Sequence, residues 1–568
     1  MTNVNEEYQK WLNEPSLPSY LKEQLENMSQ EEIYDAFYAD LEFGTAGIRG
    51  VLGPGTNRLN VYIVRKATVG FAKYLIEKFP SSLDRGVVIS HDNRHFSRDF
   101  TLEAAKVLNS YGIKAFIFDS LRPTPELSYA VRYKNALAGI MITASHNPPE
   151  YNGYKVYDEN GCQLVPQKIA RLVEIISTLG DAIDVKYGGG SSITETLNSD
   201  VDEAYVKDVL SIQLNPELSK KDFKIVFSPQ HGCSLDRAKD VFNALGYDVT
   251  YVEEQCTHNP DFNATKSPNP ELPEAFELSI EYAKRVNADL IINTDPDADR
   301  LGVAFKDKNG EYVLHTGNQT GALLINYILG ERAKRGLLKP NSTIFDTIVT
   351  SSFGEEIAAK YGVKTEHLLT GFKFIGDKIH EYEISEEKTY EFGYEESYGY
   401  LIGTFVRDKD SLQAIVMACE MANYYLKQGK TLDVVFTELE EELSFHHDKL
   451  YSIYFKGEGG KGVMAQILNT LRMKPIESID GSKLVKYEDY QVRERYDAKG
   501  KVIGEINLPK SNVLKFYFKD GSTIAVRPSG TEPKCKFYYG AVASSAEQIN
   551  GKTARMHEEV LKLLNIDA

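Results

Sequence analysis

Short apolar runs alternate with amphipathic helical patterns along most of this 568-residue chain, and the alternation limits the folds available to it. The runs Gly86–Ser90 and Phe223–Phe227 are typical of buried strands, and Phe100–Tyr111 has the spacing of a helix. Strands that alternate with helices predict α/β layers. Because the pattern restarts after Tyr187–Ser192 and again after Thr316–Thr320, we predict three successive, similar α/β domains with mixed sheets.

The two ends of the chain depart from this alternation. Residues 5–39 have helical spacing and predict an N-terminal helical extension on the first domain. Short β segments such as Leu514–Phe518, followed by a helix from about Ser545, predict a smaller α+β domain at the C-terminal end. The predicted domains are 1–207, 208–322, 323–452 and 453–568.

Charge and cysteine content narrow the function classes. The net charge of −17 argues against general affinity for nucleic acid or for an anionic membrane. The five cysteines are scattered and form no close pair, so neither a disulfide framework nor a zinc cluster is expected. No apolar run has the length of a membrane span, and the acidic N-terminus lacks an apolar signal region. We therefore expect a cytoplasmic protein.

A polar break follows the apolar run Leu137–Ile142. The stretch Thr143–Tyr157 contains a His-Asn-Pro-Pro sequence that cannot continue a strand or a helix. Ser145 lies on this break, with His146 beside it and Lys155 ten residues further on. Loops at strand ends often expose reactive groups, but such a cluster taken alone is typical of an ordinary turn.

Three aspartates follow another apolar run, at the end of Ala288–Thr294. In an extended backbone, alternate residues face one way, so Asp295, Asp297 and Asp299 can converge on one ion. Clustered carboxylates repel one another unless a cation lies between them, and all-oxygen ligation suits Mg²⁺. An EF-hand does not fit, because its sixth position would be Arg300 instead of glycine. The alternative to a metal site is a solvated acidic turn.

Three further loops carry residues suited to a phosphorylated sugar. Glu395 and Ser397 supply an acceptor and a donor that suit vicinal hydroxyls. The glycine-rich Phe43–Gly50 carries Arg49, whose guanidinium can form two hydrogen bonds to a phosphate. A hydroxyl-and-amide cradle for phosphate is predicted from Arg527, Ser529, Gly530, Thr531 and Lys534. Each loop alone is also compatible with a plain turn.

The placement of these motifs favours chemistry over four unrelated turns. Ser145, the aspartates, Glu395 with Ser397, and Arg527 occur one set per predicted domain, each at a strand-to-loop break. Together they supply a nucleophile, a metal site, a sugar contact and a phosphate contact. We interpret these motifs as the active site of a phosphotransferase that acts on phosphorylated sugars.

In this order the motifs resemble the α-D-phosphohexomutase superfamily, over essentially the whole chain. Ser145 is similar to its phosphoserine, Asp295–Arg300 to its Mg²⁺ loop, Glu395–Ser397 to its sugar loop, and Arg527–Pro533 to its phosphate loop. The segments around Lys373 and from Val406 to Asp410 resemble the phosphoglucomutase branch. Tyr398 and Gly399 stand where a second branch has Gly-His, so a histidine acid/base at that position does not carry over.

The resemblance implies a fold and an activity. It implies four domains around a central cleft, which bear in order the phosphoserine, the metal, the sugar site and the phosphate site. It implies interconversion of α-D-glucose 1-phosphate and glucose 6-phosphate through a phosphoserine, with glucose 1,6-bisphosphate as intermediate and activator. One Mg²⁺ per chain would be held by phosphorylated Ser145 with Asp295, Asp297 and Asp299.

The resemblance also implies roles for single residues. Lys155 is the general acid/base candidate, with a structural ion pair as its alternative, and Arg49 lies near the reacting phosphoryl group. His146 is expected at the catalytic centre, where it orients the loop. Substrate contacts are expected from Glu395, Ser397, Lys373, Arg407, Lys409 and Arg300, the last with an ion pair to the aspartates as its alternative.

Several alternatives stay open at this point. On the same scaffold the substrate could be a pentose or mannose phosphate. A serine- and metal-dependent sugar phosphatase and a non-catalytic sugar-phosphate sensor are further alternatives. The expected partners are small sugar phosphates, without nucleic acid or membrane, and the sequence does not distinguish a monomer from a homodimer.

Overall fold

The structure, a computed structural model, describes residues 4–44, 47–190, 192–454, 460–528 and 534–566. The chain divides into two compact units. The first unit contains Met1–Thr316 and Phe372–Lys427, and the second contains Gly317–Gly371 and Gln428–Ala568. The four domain boundaries predicted above stay a prediction.

The strands are numbered in chain order. They are β1 (Ile48–Val51), β2 (Val87–His91), β3 (Ala115–Ile117), β4 (Ala138–Ile142), β5 (Tyr151–Tyr157), β6 (Thr194–Thr196), β7 (Lys224–Ser228), β8 (Asp248–Tyr251), β9 (Leu290–Thr294), β10 (Leu301–Lys306), β11 (Tyr312–His315), β12 (Ser342–Thr347), β13 (Lys364–Leu368), β14 (Thr389–Glu395), β15 (Gly399–Leu401), β16 (Phe445–Tyr454), β17 (Ser478–Ile479), β18 (Ser482–Asp489), β19 (Glu494–Asp497), β20 (Val502–Glu505), β21 (Leu514–Phe518), β22 (Thr523–Pro528) and β23 (Lys534–Ala543).

The α-helices are numbered in the same way. They are α1 (Val4–Leu12), α2 (Ser19–Glu26), α3 (Gln30–Phe37), α4 (Val61–Lys78), α5 (Ser97–Ser110), α6 (Thr124–Tyr133), α7 (Pro166–Ser177), α8 (Ser199–Leu210), α9 (Leu235–Leu245), α10 (Glu277–Val286), α11 (Gly317–Lys334), α12 (Phe353–Lys360), α13 (Phe372–Ser385), α14 (Ser411–Lys427), α15 (Leu432–Glu442), α16 (Gly460–Met473), α17 (Ala546–Ile549) and α18 (Lys552–Leu564).

A six-stranded mixed sheet in the first unit has the order β1-β5-β4-β2-β3-β6. Strand β2 lies parallel to β3 and β4, whereas β5 runs antiparallel to β4. Every residue of β2 and of β4 is buried, which explains why both strands are largely apolar in sequence. Because β2 and β4 are parallel neighbours, the loops that follow them emerge at the same edge of the sheet.

A second sheet in the first unit has the order β11-β10-β9-β7-β8. Strand β9 is buried along its whole length and lies parallel to β7. Strand β10 returns antiparallel to β9, with Leu301 opposite Thr294, so residues 295–300 form a tight connection between them. The same unit contains the antiparallel pair β14 and β15, followed by the largely buried helix α14.

The second unit has a parallel pair, β12 and β13, and an antiparallel sheet of the order β16-β23-β22-β21-β18-β19-β20. Helices α16 and α18 contribute to an apolar core on this sheet, with Phe516 and Phe537 fully buried in it. The short β segments and the terminal helix that the sequence predicts for the C-terminal region agree with these elements. Among the described residues, no helix is both long enough and apolar enough to span a bilayer.

The predicted elements agree with the structure at several places and fail at others. The sequence also predicts a helix over Val61–Lys78, and α4 has these bounds. The Asn60 side chain caps its start by accepting hydrogen bonds from two backbone amides of its first turn. Strand β21 also has its predicted bounds. Strands β5 and β10 were not predicted. Strand β5 follows a Pro-Pro pair and contains Asn152 and Gly153, which read as loop, but tertiary pairing with β1 and β4 overrides these local preferences.

Candidate active site

Ser145 lies in the loop Thr143–Glu150, called the serine loop below, directly after β4. Its backbone has a φ of 52°, a left-handed conformation that is unusual for a non-glycine residue. The hydroxyl donates a hydrogen bond of 2.7 Å to Asp295 Oδ2 and lies 3.1 Å from Nδ1 of His146. The Ser145 side chain is thereby aimed at the loop that follows β9.

The loop Asp295–Arg300, called the metal loop below, holds the three predicted aspartates in buried positions. One oxygen from each of Asp295, Asp297 and Asp299 lies within 4.8 Å of the others. Asp295 Oδ1 accepts hydrogen bonds from the backbone amides of Asp299 (3.1 Å) and Arg300 (2.9 Å). The loop is thus folded around the side chain of its own first residue.

Backbone packing fixes the shape of the metal loop. Ala298 turns the chain with a φ of 58°, and its amide donates to the carbonyl oxygen of Asp295. The carbonyl oxygen of Pro296 accepts a hydrogen bond from the Cys233 amide (2.8 Å). A Cβ atom on Gly232 would come within 2.4 Å of the Pro296 backbone, so glycine is required for this close approach.

Two lysines neutralise the aspartates. Lys155, on β5, donates to Asp297 Oδ2 at 2.9 Å and lies 3.8 Å from Asp299. Lys409, between β15 and α14, lies 3.0 Å from Asp299 and 3.2 Å from Asp408. The structure therefore places both the predicted acid/base lysine and a predicted substrate-binding lysine at the aspartate cluster.

The pKa values of Asp295 and Asp297 are shifted in opposite directions. Burial and the charges of Asp297 and Asp299 raise the pKa of Asp295 well above its ordinary value. Burial also opposes ionisation of Asp297, but Lys155 and a hydrogen bond to Asp295 lower its pKa far below the usual range. Burial and the repulsion among the carboxylates therefore raise one pKa, Lys155 lowers the other, and a bound cation would offset the repulsion.

The donor set fits a hard cation. Oδ1 of Asp297 and Oδ1 of Asp299 are buried and have no hydrogen-bond partner among the described residues. Buried carboxylate oxygens without partners are costly unless a cation binds them. All the candidate ligands are oxygen atoms, the ligand type that Mg²⁺ prefers.

Arg49 and His146 both lie at the serine loop. Arg49, on β1, donates to the side-chain oxygen of Asn147 at 2.8 Å. The surrounding atoms desolvate the imidazole of His146, and Arg300 and Arg49 add positive charge, so its pKa lies well below the ordinary value. His146 is therefore neutral near pH 7, which agrees with an orienting role better than with a role as a proton donor.

The predicted sugar-binding residues also lie in the first unit. Glu395 ends β14 in a buried position, and Ser397 is half-buried in the turn that follows. Tyr398 has a φ of 65°, and its carbonyl oxygen accepts a hydrogen bond from the Leu301 amide at 2.9 Å. This bond joins the turn to the end of the metal loop. Lys373 is buried in the first turn of α13.

Arg300 connects the metal loop to acidic groups on either side. Its guanidinium forms an ion pair with Glu271, and Nε lies 3.8 Å from Asp299 Oδ1. Burial lowers the pKa of Arg300, but Glu271, the aspartates and Glu395 raise it above its ordinary value. Burial lowers the pKa of Lys409 as well, and Asp299, Asp408 and Glu395 raise it. Both cations therefore stay charged beside Glu395.

Arg407 has a different environment. Its side chain is fully buried, and its guanidinium contacts the carbonyl oxygen of Thr404 and forms an ion pair with Glu383. Its backbone amide donates to the Ser128 hydroxyl at 2.9 Å. These contacts hold the chain between β15 and α14, and the predicted substrate contact of Arg407 stays a prediction.

The predicted phosphate-binding residues belong to the second unit. Arg527 lies half-buried on β22, opposite Lys536 of β23. Lys534 begins β23, with its ammonium 5.5 Å from the centre of the Tyr454 ring. Three predicted members of the cradle lie outside the described residues: Ser529, Gly530 and Thr531.

Sequence reasoning assigned no role to several residues that shape the site. Thr124 donates from its amide to the carbonyl oxygen of Asp297 (2.9 Å) and from its hydroxyl to Asp297 Oδ2 (3.1 Å). Glu271 pairs with Arg300, and Arg94 with Asp92 lies against the serine loop. The sequence does show a charged pair, Asp92 and Arg94, immediately after a buried strand. No neighbouring residue indicates that this pair contacts the serine loop.

Four family models match the chain in order. They describe the alpha/beta/alpha domains I, II and III and the C-terminal domain of phosphoglucomutase/phosphomannomutase, at residues 40–182, 203–310, 316–443 and 485–555. The predicted fold class of three α/β domains and a different C-terminal domain is thereby confirmed.

Curated relatives and solved structures agree with these models. The chain is 39% identical over 525 residues to a phosphoglucomutase of Staphylococcus epidermidis, covering 92% of this chain and 94% of the relative. It is 36% identical over 542 residues to one of Staphylococcus aureus, covering 95% and 96%. Among solved structures, a putative phosphomannomutase from Thermus thermophilus has a TM-score of 0.67 at 20% identity, covering 92% of this chain and 99% of that one. The open form of parafusin, a phosphoglucomutase from Paramecium, has a TM-score of 0.68 at 19% identity, covering 93% and 95%.

Proposed function

The chain belongs to the phosphoglucomutase/phosphomannomutase family, and we propose that it is a phosphoglucomutase that interconverts α-D-glucose 1-phosphate and glucose 6-phosphate. Such an enzyme is an intramolecular phosphotransferase of the isomerase class. The observation that carries the proposal is the 2.7 Å hydrogen bond from Ser145 Oγ to Asp295, which places a nucleophilic oxygen at a buried triad of carboxylates. The curated relatives named above support the choice of glucose.

Ser145 is the covalent carrier in this mechanism. In the active enzyme its Oγ bears a phosphoryl group. The free hydroxyl of a sugar monophosphate attacks the phosphorus, the bond to Oγ breaks, and a sugar bisphosphate forms as the proton of that hydroxyl passes to the leaving Ser145 Oγ. After the bisphosphate turns end for end, the Ser145 hydroxyl attacks the other phosphoryl group, its proton passes to the sugar oxygen that is released, and the second monophosphate leaves. The phosphoserine is thereby regenerated, and the enzyme neither gains nor loses a phosphoryl group in the cycle.

The metal loop would hold one Mg²⁺ through Asp295, Asp297 and Asp299, together with a phosphoryl oxygen on Ser145. The unpartnered Oδ1 atoms of Asp297 and Asp299 support this assignment. When bound, the cation offsets the negative charge of the transferring phosphoryl group. The residues themselves keep the ligand oxygens together, because Asp295 is fixed by two backbone amides.

Lys155 is the proposed general acid/base. It is buried, it lies on β5 close to the serine loop, and its ammonium is 2.9 Å from Asp297. A buried lysine held by carboxylates can exchange a proton with a substrate hydroxyl that approaches the cluster. His146 suits this task less, because its lowered pKa makes the imidazole a weak base and its Nδ1 faces Ser145.

The remaining contacts would hold the substrate. Glu395 and Ser397 are proposed to bind sugar hydroxyls, and Lys373, Lys409 and Arg300 of the same unit are proposed to add further substrate contacts. Arg49 would contact the reacting phosphoryl group. The phosphate that does not react is assigned to the loop of the second unit, through Arg527, Ser529, Gly530, Thr531 and Lys534. This last assignment is supported by the order of the motifs.

The proposal also includes a cellular compartment and an activator. All five cysteines are free in the structure, which agrees with a reducing compartment, and we expect the cytoplasm. Glucose 1,6-bisphosphate is the expected activator. Whether the chain acts as a monomer or a homodimer is to be measured by light scattering.

An activity assay tests the proposal directly. Purified enzyme, with Mg²⁺ and catalytic glucose 1,6-bisphosphate, should convert glucose 1-phosphate to glucose 6-phosphate, and intact mass should show one phosphoryl group. Ser145→Ala should abolish both the turnover and the mass increase, because no other hydroxyl occupies that position. Ser177→Ala, at an exposed serine on α7, is the control and should keep full activity.

Other outcomes would change the assignment. Faster turnover of ribose 1-phosphate or mannose 1-phosphate would replace glucose with that sugar. Release of inorganic phosphate as the main product would make the protein a phosphatase. Binding of sugar phosphates without turnover or phosphoserine would make it a sensor, and normal turnover by Ser145→Ala would overturn the covalent mechanism.

A further inference from the structure

Arg94 lies between β2 and α5 and is buried, with its guanidinium directed at the serine loop. Its two terminal nitrogens donate to four backbone carbonyl oxygens, of which three are at Ser145 (2.6 Å), Pro148 (2.7 Å) and Tyr151 (3.0 Å) and the fourth is at Asn147. These carbonyls span the serine loop from its nucleophile to the start of β5. One side chain therefore binds four backbone carbonyl oxygens of this segment.

The guanidinium is itself held on its other sides. Nε lies 3.3 Å from Asp92 Oδ2, and the other carboxylate oxygen accepts hydrogen bonds from the Arg94 amide (3.0 Å) and the Ser97 hydroxyl (2.8 Å). The ring of Phe262 covers one face, 5.0 Å from the guanidinium carbon. A buried cation with this set of contacts has little freedom to move.

The serine loop needs such support. Ser145 has the left-handed backbone conformation described above, which costs energy in a non-glycine residue and persists only where neighbouring groups enforce it. The Ser145 amide donates to Thr143 Oγ1 at 2.8 Å, and its carbonyl is held by Arg94. The amide and the carbonyl of Ser145 are therefore both fixed, and from this backbone position the hydroxyl donates to Asp295.

We propose that Arg94 is a positioning residue of the phosphoryl transfer, which holds the serine loop so that Ser145 Oγ stays directed at the metal loop. The inference rests on the proposed function of Ser145 as the phosphoryl carrier. The guanidinium contacts described above are with backbone carbonyls, Asp92 and Phe262, so in this role Arg94 acts through the backbone. Its loss should therefore affect the chemical step and leave sugar-phosphate binding almost unchanged.

A substitution of arginine by lysine isolates this role. Arg94→Lys keeps the positive charge beside Asp92, but a single ammonium cannot bridge the four carbonyls that the planar guanidinium spans. We expect kcat to fall about 100-fold while KM changes by no more than roughly threefold, because a small misplacement of a reacting group slows the step without weakening ground-state binding. The phosphorylated variant should also lose a larger share of its phosphoryl groups to water per turnover.

Arg98→Lys is the matched control. Arg98 lies on the first turn of α5 and donates to the Phe118 carbonyl at 2.9 Å, away from the serine loop. The same change at this position should leave kcat and the release of inorganic phosphate at the level of the unmodified enzyme. A similar loss in both variants would show that general destabilisation is the cause, and would overturn the positioning role.

A second variant covers the case in which Arg94→Lys does not fold. Phe262→Leu leaves the arginine in place but removes the ring from its face, and we expect kcat to fall roughly five- to tenfold with KM unchanged. A folded Arg94→Lys enzyme with normal kcat overturns the inference, as does a Phe262→Leu enzyme in which only KM rises. If the unmodified enzyme carries no phosphoserine and has no mutase activity, the proposed function fails instead, and the two failures are thereby distinguished.

Discussion

The serine loop and the metal loop begin alike and are held differently. Each follows a fully buried strand, β4 or β9, and each contains a left-handed non-glycine residue, Ser145 or Ala298. The metal loop folds around its own first residue, Asp295, whose carboxylate accepts two amides of the same loop. The serine loop depends on Arg94, a residue about 50 positions earlier in the chain.

The difference shows how each loop responds to change. A loop that is held by its own amides and by the backbone of its neighbours keeps its shape when a distant side chain is replaced. A loop held by the side chain of one distant arginine loses several hydrogen bonds at once when that arginine is replaced. We therefore expect function to be sensitive at the residues of the metal loop and at Arg94, and tolerant at the outer supports of the metal loop.

The largest effect in the metal loop should follow from Asp297→Asn. The change keeps the shape of the side chain but removes a negative charge from the ligand set and the ion pair with Lys155. We expect kcat to fall roughly 1,000-fold, as expected when a major electrostatic stabiliser of the transition state is lost. Mg²⁺ binding, measured by titration calorimetry, should weaken strongly at the same time.

Asp408→Asn is the control for this prediction. Asp408 is buried near the cluster and binds Tyr157 and Lys409, but it is not a predicted metal ligand. Its replacement should reduce Mg²⁺ affinity far less than Asp297→Asn does. Equal losses in the two variants would mean that overall charge, and not the ligand set, determines metal binding.

The contrast between the loops also explains what the sequence could predict. The metal loop was predicted because its three carboxylates are close in sequence and follow an apolar run, so the constellation is local. Ser145 was predicted from its position in an ordered set of motifs. The role of Arg94 could not be predicted, because its acceptors are backbone carbonyls, which leave no trace in side-chain type. Strands β5 and β10 were missed for a related reason, since their pairing with neighbours decides their structure.

The two lysines at the aspartates come from different parts of the chain. Lys155 lies on the strand that follows the serine loop, and Lys409 lies between β15 and α14. Lys155→Met should lower kcat about 100-fold if it transfers the proton. Lys409→Met should lower kcat about tenfold or less and raise Mg²⁺ affinity about tenfold, because a cation 3.0 Å from Asp299 competes with the metal. Steady-state kinetics and metal titration measure both quantities.

The outcome distinguishes a proton carrier from a charge partner. Removal of Lys155 also frees a carboxylate, so Mg²⁺ affinity should rise in both variants and does not distinguish them. Only the larger loss of kcat in Lys155→Met supports the acid/base role. If the two variants lose the same activity, Lys155 is a structural ion pair, and the proton passes through another group.

The smallest effect on activity is expected at an outer support of the metal loop. Thr124, which binds Asp297, begins helix α6, and Arg122 just before it pairs with Asp202 at 2.9 Å. Asp202 also pairs with Arg237 at 2.7 Å. Burial opposes its ionisation, but hydrogen bonds from these arginines lower the pKa of Asp202 from 3.8 to about 2. Its charge therefore stabilises the fold.

The sign of the pH dependence follows from the lowered pKa. The stabilisation by Asp202 is fully present above the unfolded value of 3.8 and is lost as the pH falls towards about 2. Asp202→Asn should lower the free energy of unfolding by about 2 kcal/mol near neutral pH, the amount that this pKa shift implies. The difference between the variant and the unmodified enzyme should shrink only in the acid range.

The chain contains one tryptophan, Trp11, which is buried in the same unit as Asp202, so its fluorescence reports unfolding of that unit during a urea titration. We expect Asp202→Asn to unfold earlier and yet to keep kcat within about twofold, because the metal loop retains its own amide contacts and Thr124. A fall in kcat as large as that of Arg94→Lys would show that the metal loop depends on remote support as much as the serine loop does. A stability difference that persists unchanged well below pH 3.8 would place the effect of Asp202 in packing instead of charge.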